Sequence, residues 1–409
     1  MHPETLRLRI GVHSQLMSKS PISFKLTLAL ALTMMLGPFS TDTYLPAFPT
    51  MAVDLGVGFS DIALSISCYI FTLSVSQLIG GALSDHFGRR HVLIGGLVIY
   101  SVASLLIGIS NSLTSLLLWR VVQAFGAGWV IVSIPALVRD RVGGKEVAKL
   151  FSMIGLIMVV APGIAPSVGS AILEFSTWRG IFYFLATYAV LLIFISLFVI
   201  FVEAPPRLGP RIPTTILKRY LDVLRERKAL RYVLWQATIF SVLMIFVTHA
   251  SFIYQEHFGQ SNRRFSLLFG ANIIAMLCFN LTNRALLTYL KSITILRIAT
   301  IAHFLGIILL VAATVLDWNV YGFALSMMLT VGSLGAISPN IQANFLNFFP
   351  DSGGSAAALI GAAQFSIAGL FSALSTQFPE SLQAIIFMMA AIALIPLATM
   401  LSGLRESGI

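Results

Sequence analysis

The sequence predicts an all-α integral membrane protein: twelve transmembrane helices in two six-helix bundles, with both termini cytoplasmic. Three observations predict it. First, the 409 residues are 57% hydrophobic and only 10% charged, with a mean hydropathy of +0.91. A soluble globular chain is about 25% charged, so this chain lacks the charge to clothe a soluble surface of its size. Second, apolar stretches near the roughly 20 residues of a bilayer crossing fall at 24–50, 59–83, 91–110, 114–138, 148–173, 180–202, 231–253, 265–288, 293–315, 319–343, 354–376 and 381–402. Third, one long hydrophilic stretch, Glu203 to Arg231, divides six of these from the other six.

The stretches are expected to be helices, because hydrocarbon offers no partner for an unpaired peptide group. The alternating pattern of a membrane β-barrel is absent. Residues 1–23 form a polar, basic cytoplasmic tail with no periodicity, and Met1 and Met17 both fit as start positions. The first apolar run is too long for the core of a signal peptide, and many more follow.

Span 1 ends in STDTYLP, residues 40–46. Of the sixteen acids in the chain, Asp42 alone lies well within a span. A charge at bilayer depth costs about 2.5–3.5 kcal/mol on insertion scales and faces a protein interior or a wet cavity. Asp42 therefore reads as a proton-binding carboxylate in a substrate cavity. The alternative is a helix-end acid at the interface, since Pro46 and Pro49 allow span 1 to stop early.

After span 2 comes GGALSDHFGRRHVL, residues 80–93. Gly81 permits close packing and Gly88 a tight turn. Asp85 suits helix N-terminal amides or a pairing with Arg89 or Arg90. Span 3 carries no charge. Span 4 holds Arg120, the only base deep in a span, in SLLLWRVVQAFGAG. Counting at about 1.5 Å per residue from the outer ends of their spans puts Asp42 and Arg120 both roughly 10 Å in, in the same half. Arg120 reads either as a cavity cation that tunes Asp42 or meets substrate, or as a structural pin bonding loop carbonyls. In span 5, Pro162, Gly163, Pro166 and Gly169 would bend a helix and let a neighbour come close.

The central loop, residues 204–230, opens with Pro and Gly and ends in a basic, helix-compatible segment. It reads as a linker whose surface helix lies on anionic lipid, or as a regulatory partner site. The bundles it joins span 24–203 and 231–402, and residues 403–409 are a second cytoplasmic tail. Lys and Arg gather on one side: Arg7, Arg9, Lys19, Lys25, Arg89, Arg90, Arg139, Arg141, Lys145, Lys149, the central loop, Arg284, Lys291 and Arg405. The other side has Arg179, Arg263 and Arg264 in its short loops. By the positive-inside rule the first side is cytoplasmic, and the net charge of +10 is a membrane signal rather than a nucleic-acid one.

Phe39, Tyr44, Gln123, Phe252, Asn272, Asn340 and Gln364 are candidate cavity residues, because aromatics and amides suit amphipathic ligands without demanding one shape. Each also fits ordinary packing. His249 and His303 read as structural. Cys68 and Cys278 form no CxxC and read as small buried hydrophobes. No histidine spacing fits a metal, so none is expected.

These motifs carry a resemblance. Gly81, Leu83, Asp85, Gly88, Arg89 and Arg90 fit GxLxDxxGRR, the signature of the major facilitator superfamily, in the 2–3 loop where it is expected. RVVQAFGAG (120–128) resembles its span-4 motif RxxQGxGxx, with Ala124 in place of the first glycine, and GLIMVVAPGIAPSVGSAI (155–172) resembles its span-5 antiporter motif. STDTYLPAFP at 40–49, RDR at 139–141 and WRGIF at 178–182 look like the bacterial Bcr/CflA efflux group. The likeness runs from about Phe24 to about Ser402. In the second half it rests on FGQSNRRFSLLFGANIIA, NLTNR, SPN at 338–340 and GGSAAALIGAAQF at 353–365.

The resemblance implies the two-bundle fold and a drug:proton antiporter. Asp42 would be its span-1 acid, Arg120 its span-4 arginine, and Asp85, Arg89 and Arg90 its gating-loop charges. Some related pumps carry a second acid two turns before Asp42, where Met34 stands here, leaving Asp42 as the single proton site. The expected partners are an amphipathic small molecule (an antibiotic or an exported metabolite such as a siderophore), protons and the lipid bilayer. No cofactor is expected beyond the proton gradient, no nucleic acid, and a monomer in the bacterial inner membrane. An importer or facilitator of a small nutrient on the same fold is the alternative. A membrane enzyme would need a clustered His/Asp/Glu set, and a channel a filter loop or charge ring; the sequence has neither.

Overall fold

A computed structural model of the chain describes residues 24–141, 145–202, 225–349 and 353–406. The N-terminal tail and most of the central loop lie outside the described residues. Among those described, every regular element is helical. The first half comprises α1 (Phe24–Asp42), α2 (Phe48–Leu55), α3 (Phe59–Phe87), α4 (Arg89–Gly108), α5 (Leu113–Arg141), α6 (Lys145–Phe175) and α7 (Trp178–Ile195). The second comprises α8 (Arg227–Ser251), α9 (Asn262–Leu286), α10 (Ser292–Val315), α11 (Val320–Gly332), α12 (Leu334–Leu346), α13 (Gly353–Ser375) and α14 (Leu382–Glu406). Eleven of the resulting spans are long and apolar enough to cross a membrane; the remaining one, α6, is a continuous 31-residue helix with a shorter apolar stretch at Val160–Phe175.

Span 1 is not the continuous rod that its hydropathy predicts. α1 stops at Asp42, a 3-10 turn covers Leu45–Ala47, and α2 follows to Leu55. The cause is proline. Pro46 has no N–H to give the Asp42 carbonyl, and Pro49 none for that of Leu45. Span 10 is likewise two helices, α11 and α12. At its break the Thr330 carbonyl accepts from Ser333 Oγ at 2.7 Å and His303 Nδ1 at 2.9 Å. π-helical turns extend α7 over Ser196–Ile200 and α8 over Phe252–His257.

Within the halves, small residues set the helix spacing. A Cβ on Gly126 would lie 2.6 Å from the Gly96 carbonyl oxygen, so α4 and α5 meet backbone to backbone. On α3 the tight position is Gly80, where a Cβ would stand 2.7 Å from Trp129 Cδ1; Gly81 has only ordinary contact, with Val132 at 3.7 Å. The sequence reading of Gly81 as the close-packing glycine is thus displaced by one residue. Cys68 is half-buried and Cys278 exposed, not buried as expected. In lipid an apolar side chain gains little by turning inward. Leu78, Val98, Leu118, Phe194 and Ile301 face outward in the same way.

The halves meet where α3 packs on α13 and α6 on α9. The seam is lined with hydroxyls. Ser67 Oγ lies 2.6 Å from Ser372 Oγ, Ser74 Oγ 2.6 Å from Ser366 Oγ, and Ser170 Oγ 2.8 Å from Ser266 Oγ. At the far end Ser60 N donates to Glu380 Oε1 at 2.5 Å and Gln255 Nε2 to the Pro46 carbonyl at 3.2 Å. Phe59 and Phe252 close the same end edge to face, 6.1 Å apart. These contacts run from the end opposite the Arg89–Arg90 loop to the middle of the helices.

Candidate functional site

The charged centre of the first half is built on α5. Arg120 is 0% exposed. Its Nη1 donates to Gln123 Oε1, one turn on, at 2.5 Å, and its Nη2 to Tyr44 Oη at 3.2 Å. The guanidinium lies over two rings, 4.6 Å from the centroid of Tyr44 and 4.3 Å from that of Tyr69. Such stacking suits a weakly hydrated, planar cation held away from water. The network continues outward. Gln123 Nε2 donates to Ser104 Oγ at 2.7 Å, and the Tyr44 hydroxyl meets Ser65 Oγ at 2.8 Å. The Tyr100 hydroxyl meets Ser40 Oγ at 2.6 Å, two residues before the acid.

Asp42 sits at the last position of α1, 5% exposed. The helix does end there, as the interfacial alternative anticipated, yet the carboxylate is interior, because α2 carries the chain on. The next residue back, Thr41, is half-buried, and its hydroxyl donates to the Pro38 carbonyl at 3.2 Å. Arg120 turns to Tyr44, Tyr69 and Gln123 rather than to Asp42, so the two deep charges share a half without forming an ion pair. The break itself is held from outside. Gly169 of α6 lies so close to Thr43 that a Cβ would strike its carbonyl oxygen. Pro162 and Pro166 lie inside the unbroken α6, and a Cβ on Gly163 would meet Ile273 of α9 at an ordinary 3.4 Å.

The other expected residues disperse. Tyr44 and Gln123 are fully buried partners of Arg120 rather than part of a cavity wall. Phe39 packs on Phe184 and Tyr188. Asn272 donates to the Leu268 and Phe269 carbonyls of its own helix. Asn340 ties α12 to α9 and α10, donating to Asn283 Oδ1 at 2.6 Å and accepting from Ser292 Oγ at 2.6 Å. Phe252 belongs to the closed end. Gln364 is half-buried and accepts from Gln236 Nε2 at 2.8 Å. In the 2–3 loop, Gly88 has φ +89°, a conformation that favours glycine. There Arg89 Nη1 donates to Ser84 Oγ at 3.0 Å and Arg90 is exposed; the Asp85 side chain lies outside the described residues. His249 bonds Ser375 Oγ at 2.8 Å.

Sequence reasoning missed Tyr69 and Gln236. A tyrosine in an apolar span reads as packing, although its hydroxyl asks for a polar neighbour. A glutamine within span 7 was a visible signal, being a full amide that lipid cannot satisfy.

Comparison with known proteins agrees with this architecture. The chain is 29% identical over 362 residues to the bicyclomycin resistance protein homolog of Haemophilus influenzae, covering 88% of this chain and 90% of that one. It is 36% identical over 176 residues to the chloramphenicol resistance protein of Pseudomonas aeruginosa, covering 41% of this chain and 42% of that one. The fold superposes on a D-xylose-proton symporter with TM-score 0.74 and 16% identity, covering 91% of this chain and 97% of that one. The Major Facilitator Superfamily model matches residues 30–373, and the chain belongs to that family of membrane transporters.

Proposed function

We propose that this transporter is a proton-coupled exporter of amphipathic small molecules, of the Bcr/CflA type, working by alternating access. It is a transporter and not an enzyme. One observation carries the reading: a carboxylate, Asp42, is 5% exposed at a helix break, beside the half-buried Thr41 and without Arg120 as an ion-pair partner. An acid so sited is kept only where its charge state is used. The names of the two resistance relatives support antibiotic-like cargo, with an exported metabolite as the other source.

In this proposal twelve spans cross the bacterial inner membrane with both termini cytoplasmic, in a monomer that needs no cofactor. The closed end, bearing Ser60, Gln255 and Glu380, is then the outer one, and the conformation faces inward. Asp42 releases its proton inward and substrate binds. The halves then rock about the seam, and Asp42 is reprotonated from outside. Asp85, Arg89 and Arg90 hold the inner gate in the opposite conformation. The Pro162–Gly169 segment of α6 shapes the cavity wall.

Energised inverted vesicles test this. Adding chloramphenicol or bicyclomycin to vesicles carrying the wild type is expected to release part of the pH gradient. Asp42→Asn is expected to abolish that release while leaving expression and binding intact. Uphill export by the Asn variant overturns the proton-site assignment.

A further inference from the structure

Gln236 on α8 is 2% exposed. Its amide donates both hydrogens, to Gln364 Oε1 of α13 at 2.8 Å and to Ser338 Oγ of α12 at 3.2 Å. Its own Oε1 is buried and receives no hydrogen bond. Native chains retain few such orphans. Turning the amide over would not cure it, since one unpaired acceptor would become two unpaired donors. The arrangement is therefore an acceptor held in place by its own donors.

Aromatic and apolar side chains that are only partly buried lie near it. Residues 361–367 of α13 are half-buried, and so are Phe240, Leu243 and Met244, one to two turns along α8 from Gln236. Phe240 and Phe365 meet edge to face, 5.1 Å apart. The same stretch of α13 offers the Ala362 carbonyl and Ser366 to Ser74 of the first half. The feature thus lies beside the seam, on the half that does not hold Asp42.

We propose that Gln236, with Gln364, Ser338 and the Phe240–Phe365 pair, is a binding subsite. It would take a neutral amphipathic molecule that carries a hydroxyl donor next to an aromatic or apolar body. The donor satisfies Gln236 Oε1, and the body lies on the two rings. The inference rests on the exporter reading for its direction of transport but not for binding itself. It puts recognition on the second half and the proton on the first, so that cargo and proton meet only through the seam.

The test uses the full chain in nanodiscs and radiolabelled chloramphenicol, compared with its di-O-acetylated form, which keeps the ring and lacks both hydroxyl donors. The wild type is expected to bind the parent about tenfold more tightly. Gln236→Leu is expected to bring the two within about twofold, by weakening the parent alone; Gln364→Met serves as a second, milder variant, with thermal midpoints read for each. Equal wild-type affinities, or discrimination that survives in Gln236→Leu, overturns the subsite, as does an Oε1 satisfied by water alone, which would give no preference. The exporter reading fails separately, if no compound of a panel discharges the gradient in vesicles.

Discussion

Arg120 keeps a full charge inside the first bundle by meeting two aromatic faces and two neutral oxygen acceptors. A lysine at that position would offer a compact, strongly hydrated ammonium that neither stacks over Tyr44 and Tyr69 nor reaches Gln123 and Tyr44 together. Cation–π contacts are worth about 2 kcal/mol when desolvated. Arg120→Lys is therefore expected to lower stability by about 1–3 kcal/mol, read as a reduced thermal midpoint of the purified protein, with transport lost. A variant that keeps its midpoint would show that the cage holds any cation. Tyr44→Phe separates ring from hydroxyl. It keeps the stacking and removes the bond to Arg120, at a cost of about 1 kcal/mol, in line with hydrogen bonds between membrane helices. Both deep charges were legible in the sequence, because charge at depth is rare enough to stand out. Their relation was not legible. Counting residues from span ends gave a common depth, but only packing decides which way a guanidinium turns.

The break between α1 and α2 shows what an element adds to its residues. Hydropathy is blind to it, since Leu45, Pro46, Ala47 and Phe48 continue the apolar run without a gap. The two prolines announce it only as one of two outcomes, a bend or an end. Gly169 of α6 completes the device, because only a residue without Cβ lets another helix lie against the Thr43 carbonyl. Gly169→Ala is expected to force α6 and the break apart, with a loss of about 1–3 kcal/mol and at least a tenfold fall in transport. Gly163→Ala, whose Cβ would meet Ile273 at an ordinary 3.4 Å, is expected to leave both within twofold. Parallel assays of the two alanine variants check this. Equal behaviour would mean that the span-5 glycines act through flexibility rather than fit. The sequence singled out both glycines for one motif; it had no means to rank them, since rank depends on the neighbour each one meets.

At the scale of the whole molecule, the seam must be strong enough to close one end and weak enough to part. The all-helical membrane fold was legible in the sequence, since apolar stretches of spanning length follow directly from composition. The seam was out of reach, because its residues, Ser67, Ser74, Ser170, Ser266, Ser366 and Ser372, are spaced through four helices in no pattern a single strand of sequence displays. Their chemistry suits the task. A hydroxyl pair between membrane helices contributes about 0.6 kcal/mol, and water can replace each partner when the end opens, so parting leaves no buried group unsatisfied. Several such pairs put the closed and open forms within a few kcal/mol of each other, the range in which binding can shift a population. Ser67 and Ser372 offer the direct test, their oxygens lying 2.6 Å apart across the halves. With Cys68 and Cys278 replaced by serine, Ser67→Cys combined with Ser372→Cys brings two thiols within disulfide reach. Oxidation is expected to cross-link the halves and cut transport at least tenfold, and reductant to restore it, while each single variant stays active under oxidant. Transport that persists in the fully cross-linked protein would mean that the seam does not open here, and that the halves move about some other contact.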